Sequence, residues 1–459
     1  MKKPLALLMA AVALTAMALR VHGIQNHFWM LEDQIRDWGI AAGPFWRLPL
    51  VGPPTHVHGY TIGPAFYWIL WAIRVVVGPF FENLPHAGGI GQAALQTAAD
   101  TMLLVAIWRR TGSASIALAS FIVVVSSGFD LALSGLVWNP TMGSTMSKIA
   151  TALVLLDWHR RSSLRLATVA AIAWASIHAY TGAVFVALPA LLAIVLDMWR
   201  HAGRRAAIRA LAIVAVVVAA LQVPYLAYQI TQHFAAPAMG AVTGSVAEIL
   251  SGHAAPTFTR SLGGYRDAVR DIQVMPFAFP GIGWLLTVAG LLTAWLWRRD
   301  PTLLLMILAP QAAAIAGFAF FLGSLDSYYY LSMMPAAVLT VLLPLTRITW
   351  PVARRVTCVA VLLAACTAVP ARWTYSQTQF KLPEYKVLVA ASRTVRNAHR
   401  PFRAIVADFP LPPTCDPDFL YRLLGGQMDR RSPWVAVISL DGRITYINND
   451  LNRARAGNQ

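Results

Sequence analysis

Long apolar runs dominate this sequence and leave few ways for it to fold. They recur along most of the chain at about 17 to 22 residues each, which is enough for a helix to cross a bilayer. With 57% hydrophobic and only 12% charged residues, the chain has too few charges to cover a water-exposed surface of its size. The sequence therefore predicts a polytopic membrane protein.

The net charge of +17 would also suit a nucleic-acid binder, but the positions of the cations argue against that class. Lys and Arg occur in short clusters between the apolar runs, as the positive-inside rule predicts for cytoplasmic loops. We therefore predict no nucleic-acid partner and expect membrane lipids around the spans. The clusters assigned to the cytoplasm are Lys2/Lys3, Arg109/Arg110, Arg160/Arg161/Arg165, Arg200/Arg204/Arg205/Arg209, Arg298/Arg299 and Arg347/Arg354/Arg355.

The first two basic clusters can share one side of the membrane only if an even number of spans separates them. Three apolar stretches lie between them, at 4–22, 61–80 and 92–108. The middle stretch contains Arg74, two Gly-Pro breaks and many aromatic rings, a composition typical of a segment at the headgroup boundary. We predict that it does not cross, so that 23–91 is one long external loop with two juxtamembrane helices.

The first apolar run also resembles a signal peptide, with a basic start and small residues at 16–18. We predict an uncleaved span, and either outcome places the loop after it outside. Charge parity then gives about 11 transmembrane helices, a second external loop at 231–275 and an external C-terminus. The predicted spans are 4–22, 92–108, 114–131, 141–158, two between 165 and 200, 207–228, 277–297, 302–322, 329–346 and 355–371.

We therefore expect an all-α membrane domain at 1–372 and a small external α/β domain at 373–459. The second region is charged and mixed in composition, unlike the spans. Helix caps and turn residues predict its elements. These are a helix near 384–398, a strand at AIVADF, a helix that starts at Asp416-Pro417 and stops at Gly425-Gly426, and a hairpin that turns at Asp441-Gly442.

The first external loop concentrates charged residues that the rest of the chain lacks. If EDQIRDWGIAA is a helix, Asp33 and Arg36 share one face and Asp37 lies one turn from Asp33. A carboxylate there can deprotonate or orient an acceptor hydroxyl, and a guanidinium can hold a phosphate with two hydrogen bonds. The alternative is an ordinary surface ion pair on a solvated helix.

His56 and His58 stand two residues apart in the same loop and would point to one side of an extended segment. Two imidazoles without a nearby thiol make a weak metal motif, so we predict a phosphate contact or simple loop polarity instead. The three cysteines form no metal or disulfide pattern. We expect no resident cofactor and no assigned metal site, and leave a loosely held divalent metal open.

Further charged candidates lie in later external segments. Arg266 and Arg270 are one helical turn apart and form a possible second anion clamp, or simply a solvated amphipathic helix. Asp130 and Asp326 are placed at the outer ends of spans, where a carboxylate is costly unless it faces water or a partner. We therefore treat both as candidate site residues.

Five short motifs, taken together and in order, resemble the glycosyltransferase C superfamily, within it the bacterial relatives of protein O-mannosyltransferases and the lipid A aminoarabinose transferase. The resemblance covers most of the membrane region. The motifs are the acidic EDQIRDWGIAAG after the first span, PLVGPP, GPAFYWIL resembling Gly/Pro-Pro-x-Tyr-Tyr, the VWNP turn containing Asn139, and SYYYLSMMPAAV with Tyr328 and Tyr329, resembling His-Tyr-Tyr-x-x-x-x-x-Pro.

This resemblance implies a glycosyltransferase that moves a sugar, with inversion, from a polyprenyl-phosphate donor to an acceptor on the outer face of the bacterial cytoplasmic (inner) membrane. By position, Asp33 would be the base, with Glu32 as its alternative, and Arg36 would contact the donor phosphate. The sequence departs from the family in having Ile62 and Gly63 where some relatives have lysine, and a serine in place of the late histidine. The sugar, and whether the acceptor is a glycan, a lipid or a protein, stay open.

Two other functions fit parts of the same pattern. A transporter or flippase of lipid-linked sugars would also need external arginines and aromatic loops, but it should show repeated halves and ionisable groups near mid-span. Neither is clear in the sequence, although His178 and Gln222 are polar residues within or near the ends of spans. A structural assembly partner that works through its C-terminal domain is the third alternative.

Overall fold

The structure is a computed structural model of the chain and describes residues 3–54, 59–125, 127–234, 240–269, 280–296, 300–412 and 415–448. Helices make up most of it, with one small sheet near the C-terminus. The first eight helices are α1 (Lys3–Val21), α2 (Ile24–His27), α3 (Glu32–Ala41), α4 (Ala65–Val77), α5 (Pro85–Thr111), α6 (Ala114–Val125), α7 (Gly128–Leu133) and α8 (Asn139–Leu155). The next eight are α9 (Ser163–Ala179), α10 (Val184–Thr231), α11 (Gly240–Leu250), α12 (Phe258–Val269), α13 (Pro280–Leu296), α14 (Pro301–Ala319), α15 (Met334–Leu342) and α16 (Pro351–Thr378).

Six helical segments in the described part of the chain are long and apolar enough to cross a bilayer. Their length and composition, together with a helical fold, confirm the prediction of a polytopic membrane protein. Other apolar helices, among them α4, α6 and α9, are shorter, and the number of about 11 spans stays a prediction. The six segments are Ala6–His27, Pro85–Thr111, Thr181–Thr231, Pro301–Ala319, Ser327–Arg347 and Pro351–Thr378.

The long α10 contains a break at Gly203. The backbone there has φ 82° and ψ 179°, a conformation that only glycine adopts without strain. The two parts of α10 therefore correspond to the sixth and seventh predicted spans, with the basic cluster of Arg200, Arg204 and Arg205 around the break. Charged residues at a break between two apolar helices are typical of a loop at the membrane surface.

Ion pairs join several helix ends at one end of the bundle. Arg110, in the last turn of α5, contacts Asp157 after α8 at 3.6 Å and Asp300 before α14 at 2.6 Å. Arg160 contacts Asp197 of α10. Two of the predicted cytoplasmic clusters, those of Arg110 and Arg160, thus contribute to one polar region.

The C-terminal region contains α17 (Tyr385–Arg396), β1 (Ala404–Ala407), α18 (Pro417–Leu423), β2 (Trp434–Ile438) and β3 (Ile444–Asn448). The sheet has the order β1-β2-β3, with β1 parallel to β2 and β2 antiparallel to β3. These are the elements that the sequence predicts, including the turn at Gly442, whose φ is +82°.

Two predicted boundaries differ from the observed elements. Helix α5 begins at Pro85, ahead of the apolar run that predicted it, because Pro is favoured in the first turn of a helix. The last part of the predicted loop 23–91 is therefore helical. Helix α16 continues to Thr378, past the predicted boundary at 372, since nothing in ARWTYSQT stops a helix.

Candidate functional site

Helix α3 carries the acidic residues of the first external loop. It begins after Leu31, whose backbone N–H donates to the Gln34 side chain at 3.1 Å, a contact that holds the first turn. Glu32 and Asp33 lie in that turn, where the positive end of the helix dipole favours negative charge. The start of this helix therefore fixes where the two carboxylates stand.

Arg36 is held between two carboxylates of the same helix. Its Nη1 contacts Asp33 Oδ1 and its Nε donates to Asp37 Oδ1, both at 2.9 Å. Asp37 Oδ1 also accepts from the hydroxyl of Tyr67 on α4 at 3.0 Å. The side chains of Asp33 and Arg36 are 31% and 28% exposed, whereas that of Asp37 is fully buried. Asp37 thus holds the partly exposed Asp33–Arg36 pair from its buried side.

Burial changes the acidity of this bracing residue. It raises the pKa of the Asp37 carboxyl to about 6, while Arg36 and Tyr67 oppose the shift by favouring the ionised form. The pKa of Arg36 is raised by Asp37 and Asp33 despite its partial burial, so the guanidinium stays charged. At neutral pH Arg36 is therefore a cation that lies between the acidic side chains of Asp33 and Asp37.

A cavity of about 510 Å³ opens beside this group. Six of the residues that sequence reasoning selected line it, namely Glu32, Asp33, Arg36, Asn139, Tyr328 and Tyr329. They come from α3, the start of α8 and the turn before α15, which the fold brings together. An apolar wall completes the cavity, formed by Val184, Phe185, Gly317, Phe318 and Phe321.

Aromatic rings form a second wall. The rings of Trp138 and Tyr328 have centroids 4.9 Å apart, and those of Tyr328 and Tyr329 are stacked at 4.7 Å. Trp138 precedes α8, whose second residue is Pro140, so the VWNP motif both starts the helix and places the indole. Contacts between rings of this kind stabilise a fixed arrangement of the wall.

The cavity lies at the end of the bundle opposite the Arg110 ion pairs. The starts of α8 and α10 and the end of α14 border the cavity. Asp157 after α8, Asp197 in the first part of α10 and Asp300 before α14 lie at the ion pairs. A 17-residue helix such as α8 is about 25 Å long, close to the thickness of the bilayer core. If the basic end lies in the cytoplasm, as the positive-inside rule predicts, the cavity opens near the outer face.

Asp130 lies apart from the cavity, in a buried cluster of four charged side chains. Arg20 contacts Asp100 at 2.5 Å and Asp130 at 2.6 Å, and Lys148 contacts the same carboxylates at 2.8 and 2.6 Å. All four side chains are at most 1% exposed. The partners of the Asp130 carboxylate are thus the cations Arg20 and Lys148. Asp130 does not line the cavity, so it is not placed to contact a ligand there.

The other predicted candidates are also separate from the cavity or outside the described residues. Asp326 is exposed, and its backbone carbonyl accepts from Tyr329 N–H at 3.0 Å. Arg266 on α12 is 69% exposed and contacts its neighbour Asp267, which favours the solvated-helix alternative. The described ranges of the chain contain no group of three or more potential metal ligands. His56, His58 and Arg270 lie outside those ranges.

Tyr180 and Thr181 are among the cavity residues that the sequence did not indicate. They lie in the HAYTG turn between α9 and α10. A polar turn between two apolar spans on the external side was the available signal. The partners of Asp130 were missed as well, although Asp100 and Lys148 are charged residues within apolar stretches.

Comparison with known proteins identifies the fold. No protein-family description matches the sequence, and no curated protein is significantly similar to it. Among solved structures, ArnT from Cupriavidus metallidurans bound to undecaprenyl phosphate is similar with a TM-score of 0.57 and 12% identity, over 95% of this chain and 94% of that one. Its apo state gives a TM-score of 0.58 and 13% identity, over 94% and 92%.

The oligosaccharyltransferase of Archaeoglobus fulgidus in the apo form is also similar, with a TM-score of 0.53 and 14% identity. That similarity covers 93% of this chain and 64% of the archaeal one. At such low identity the likeness concerns the fold alone. The chain has the fold shared by ArnT and the archaeal oligosaccharyltransferase.

Proposed function

We propose that this protein is a glycosyltransferase that moves a sugar from a polyprenyl-phosphate donor to an acceptor at the outer face of a bacterial inner membrane. The observation that carries the proposal is the Asp33–Arg36 pair at the wall of a cavity that also has an apolar side. A polyprenyl tail stays in the bilayer and its phosphate lies at headgroup level. The charged wall of the cavity suits the phosphate and its apolar wall suits the tail, at the headgroup level where we propose that the cavity opens.

The partly exposed Asp33 and Arg36 suit complementary roles. Asp33 takes the proton of an acceptor hydroxyl as its oxygen attacks the anomeric carbon of the sugar. The bond from that carbon to the phosphate oxygen breaks, and the electron pair leaves with the phosphate. Arg36 holds the developing negative charge on the phosphate through its N–H groups. Attack on the face opposite the leaving phosphate inverts the anomeric centre.

The structural neighbours support a lipid-phosphate donor. ArnT from Cupriavidus metallidurans was crystallised bound to undecaprenyl phosphate, and its fold matches nearly the whole of this chain. We also propose that the C-terminal region, beginning after α16, is an external domain that positions the acceptor.

A transporter of lipid-linked sugars is the second candidate, favoured by one observation. The cluster of Arg20, Asp100, Asp130 and Lys148 places ionisable groups inside the bundle, as that class would require. The two cations and two carboxylates of the cluster neutralise one another, and none of the four residues lines the cavity. The cluster therefore needs no transported ligand to balance its charges. Turnover of donor with a covalent sugar product separates the two candidates.

Replacement of Asp33 by Asn tests the proposed base. The substitution is nearly isosteric and should leave folding and insertion intact, while loss of a general base lowers turnover by about 10²- to 10⁴-fold. A surface ion pair contributes about 1 kcal/mol or less and cannot produce that defect. The measurement is transfer of radiolabelled sugar from polyprenyl-phosphate donors in membranes of a strain lacking the native protein.

Two neighbouring substitutions serve as controls. Glu32→Gln should be milder than Asp33→Asn, and Arg36→Ala should weaken donor binding more than it changes the chemical step. Near-normal turnover by Asp33→Asn removes the base assignment. An inactive Glu32→Gln variant beside an active Asp33→Asn variant would transfer the role to Glu32, the other carboxylate in the cavity wall.

A further inference from the structure

Two buried hydroxyls in the cavity wall lack partners. Tyr180 is 7% exposed, and within the described part of the chain neither its Oη nor the Oγ1 of Thr181 has a hydrogen-bond partner. Both residues line the cavity. A buried hydroxyl without a partner costs about 1 to 3 kcal/mol, so such groups call for a reason. A ligand with hydroxyl groups in the cavity would provide one.

The position of Tyr180 is fixed by its neighbours. A Cβ at Gly182 would lie 2.5 Å from Cε1 of Tyr180 and 3.0 Å from the backbone oxygen of Tyr329. A Cβ at Gly143 on α8 would lie 2.5 Å from Cβ of Tyr180. The two glycines therefore let the phenol fold against the turn and beside the Tyr328–Tyr329 stack. Close contacts thus fix the position of the ring, while the described residues provide its hydroxyl with no acceptor or donor.

The cavity surface has three chemically distinct parts. The Asp33–Arg36 pair is charged, the wall that includes Phe185 and Phe318 is apolar, and the part around Tyr180 and Thr181 is aromatic and hydroxylated. A polyprenyl-phosphate sugar also has three parts, an anionic phosphate, an apolar tail and a ring with hydroxyl groups. Aromatic rings and uncharged hydroxyls suit the ring, because they pack against C–H groups and hydrogen-bond to hydroxyls without a charge.

We propose that Tyr180 and Thr181 form the sugar-recognition part of the donor site, in which their hydroxyls hydrogen-bond to hydroxyls of the sugar ring. The wall of Trp138, Tyr328 and Tyr329 covers the ring. This inference rests on the proposed donor class and adds the residues that select the sugar. Loss of one neutral hydrogen bond weakens binding by about 2- to 10-fold, so each hydroxyl contributes a measurable part of the selectivity.

The test compares loaded and bare carrier with purified full-length protein. Undecaprenyl phosphate and a panel of undecaprenyl-phosphate hexoses and pentoses are titrated against the wild type, Tyr180→Phe, Thr181→Val and the double variant. We expect the variants to bind the preferred loaded carrier about 2- to 10-fold more weakly per hydroxyl and to bind bare undecaprenyl phosphate as the wild type does. Their thermal midpoints should not fall, because the removed hydroxyls have no partner among the residues that the structure describes.

Tyr265→Phe is the matched control. It also removes a phenolic hydroxyl, but that hydroxyl donates to Gln311 Oε1 at 2.6 Å and is not part of the cavity wall. Its affinities for both carriers should equal those of the wild type. Equal weakening of loaded and bare carrier by Tyr180→Phe and Thr181→Val would overturn the inference, as would a wild type that prefers no loaded carrier over the bare one. A wild type that binds neither carrier would instead refute the proposed function.

Discussion

At the scale of single residues, Asp37 separates this site from an ordinary surface ion pair. Its buried carboxylate accepts from Arg36 and Tyr67, and burial raises its pKa to about 6. A carboxyl is neutral below its pKa, so acidification through pH 6 removes the negative charge that braces Arg36. We expect turnover with a polyprenyl-phosphate sugar to fall by about tenfold between pH 7 and pH 5 through this group alone.

Asp37→Asn tests the origin of this pH dependence. The variant lacks the charge at every pH, so its turnover should be lower than that of the wild type at pH 7 and should lose the change near pH 6. A pH–rate profile of both proteins over pH 5 to 8 measures the difference. A variant that keeps the wild-type profile would show that another group titrates.

The buried cluster around Asp130 should act on stability rather than on chemistry. Removing one member leaves an unbalanced buried charge, which costs about 3 to 5 kcal/mol. We therefore expect Lys148→Met and Asp130→Asn each to lower the thermal midpoint of the detergent-solubilised protein. The double variant removes one charge of each sign and should be less destabilised than the sum of the two single effects.

Activity normalised to folded protein provides the contrasting readout. If the cluster acts on stability alone, the Asp130→Asn substitution lowers the amount of folded protein but leaves the activity per folded molecule unchanged. A stable Asp130→Asn variant without transferase activity would restore Asp130 as a candidate site residue, as the sequence suggested.

At the scale of elements, α4 decides the topology of the first loop. It contains Arg74 in its last turn, and the basic clusters before and after it share one side of the membrane only if one of the three apolar stretches between them does not cross. We predict that it does not cross, so that Glu82, whose side chain is 51% exposed, lies outside. Glu82→Cys in a background without Cys358, Cys366 and Cys415 should react with a membrane-impermeant maleimide in intact cells.

Arg161→Cys in the same background is the matched control. Arg161 is exposed next to Arg160, whose ion pair with Asp197 lies at the opposite end of the bundle, so its substitute should react only after permeabilisation. Labelling of Glu82→Cys only in permeabilised cells would show that α4 crosses and that the span count is wrong.

At the scale of the whole molecule, the C-terminal region is packed onto the first external loop but stands apart from the cavity. Tyr385 Oη is 2.9 Å from His86 Nδ1, and Arg393 contacts Glu82 at 2.5 Å. The two regions share one apolar cluster, in which Phe28 packs beside Tyr385. Of the described residues, none after Tyr329 lines the cavity.

Removal of residues 380–459 should therefore separate stability from donor binding. The truncated protein uncovers part of the shared apolar cluster and should have a lower thermal midpoint, while its affinity for undecaprenyl phosphate stays within a few-fold of that of the full chain. Loss of carrier binding by a truncated protein that is still folded and inserted would place the C-terminal region in the donor site.

The sequence alone determined much of this architecture because its signals are local. Apolar runs, basic clusters and turn residues predict the helices, the membrane class and the order of the C-terminal elements, down to the hairpin at Gly442. The Asp33–Arg36 contact was also predictable, since residues three apart on a helix are neighbours. Element ends were less exact: Pro85 starts α5 ahead of the apolar run, and no residue at the predicted boundary stops α16 before Thr378.

Only the tertiary structure decided which distant residues meet. Asp130 is 18 residues from Lys148 and 110 from Arg20, and no periodicity in the sequence links them. Tyr180 and Thr181 looked like an ordinary turn until the fold placed them beside α3 and the Tyr328–Tyr329 stack. Helical periodicity specifies the face of each helix, but packing between helices selects the partners of that face. That packing therefore decides which charged residues form the buried ion cluster and which line the open cavity.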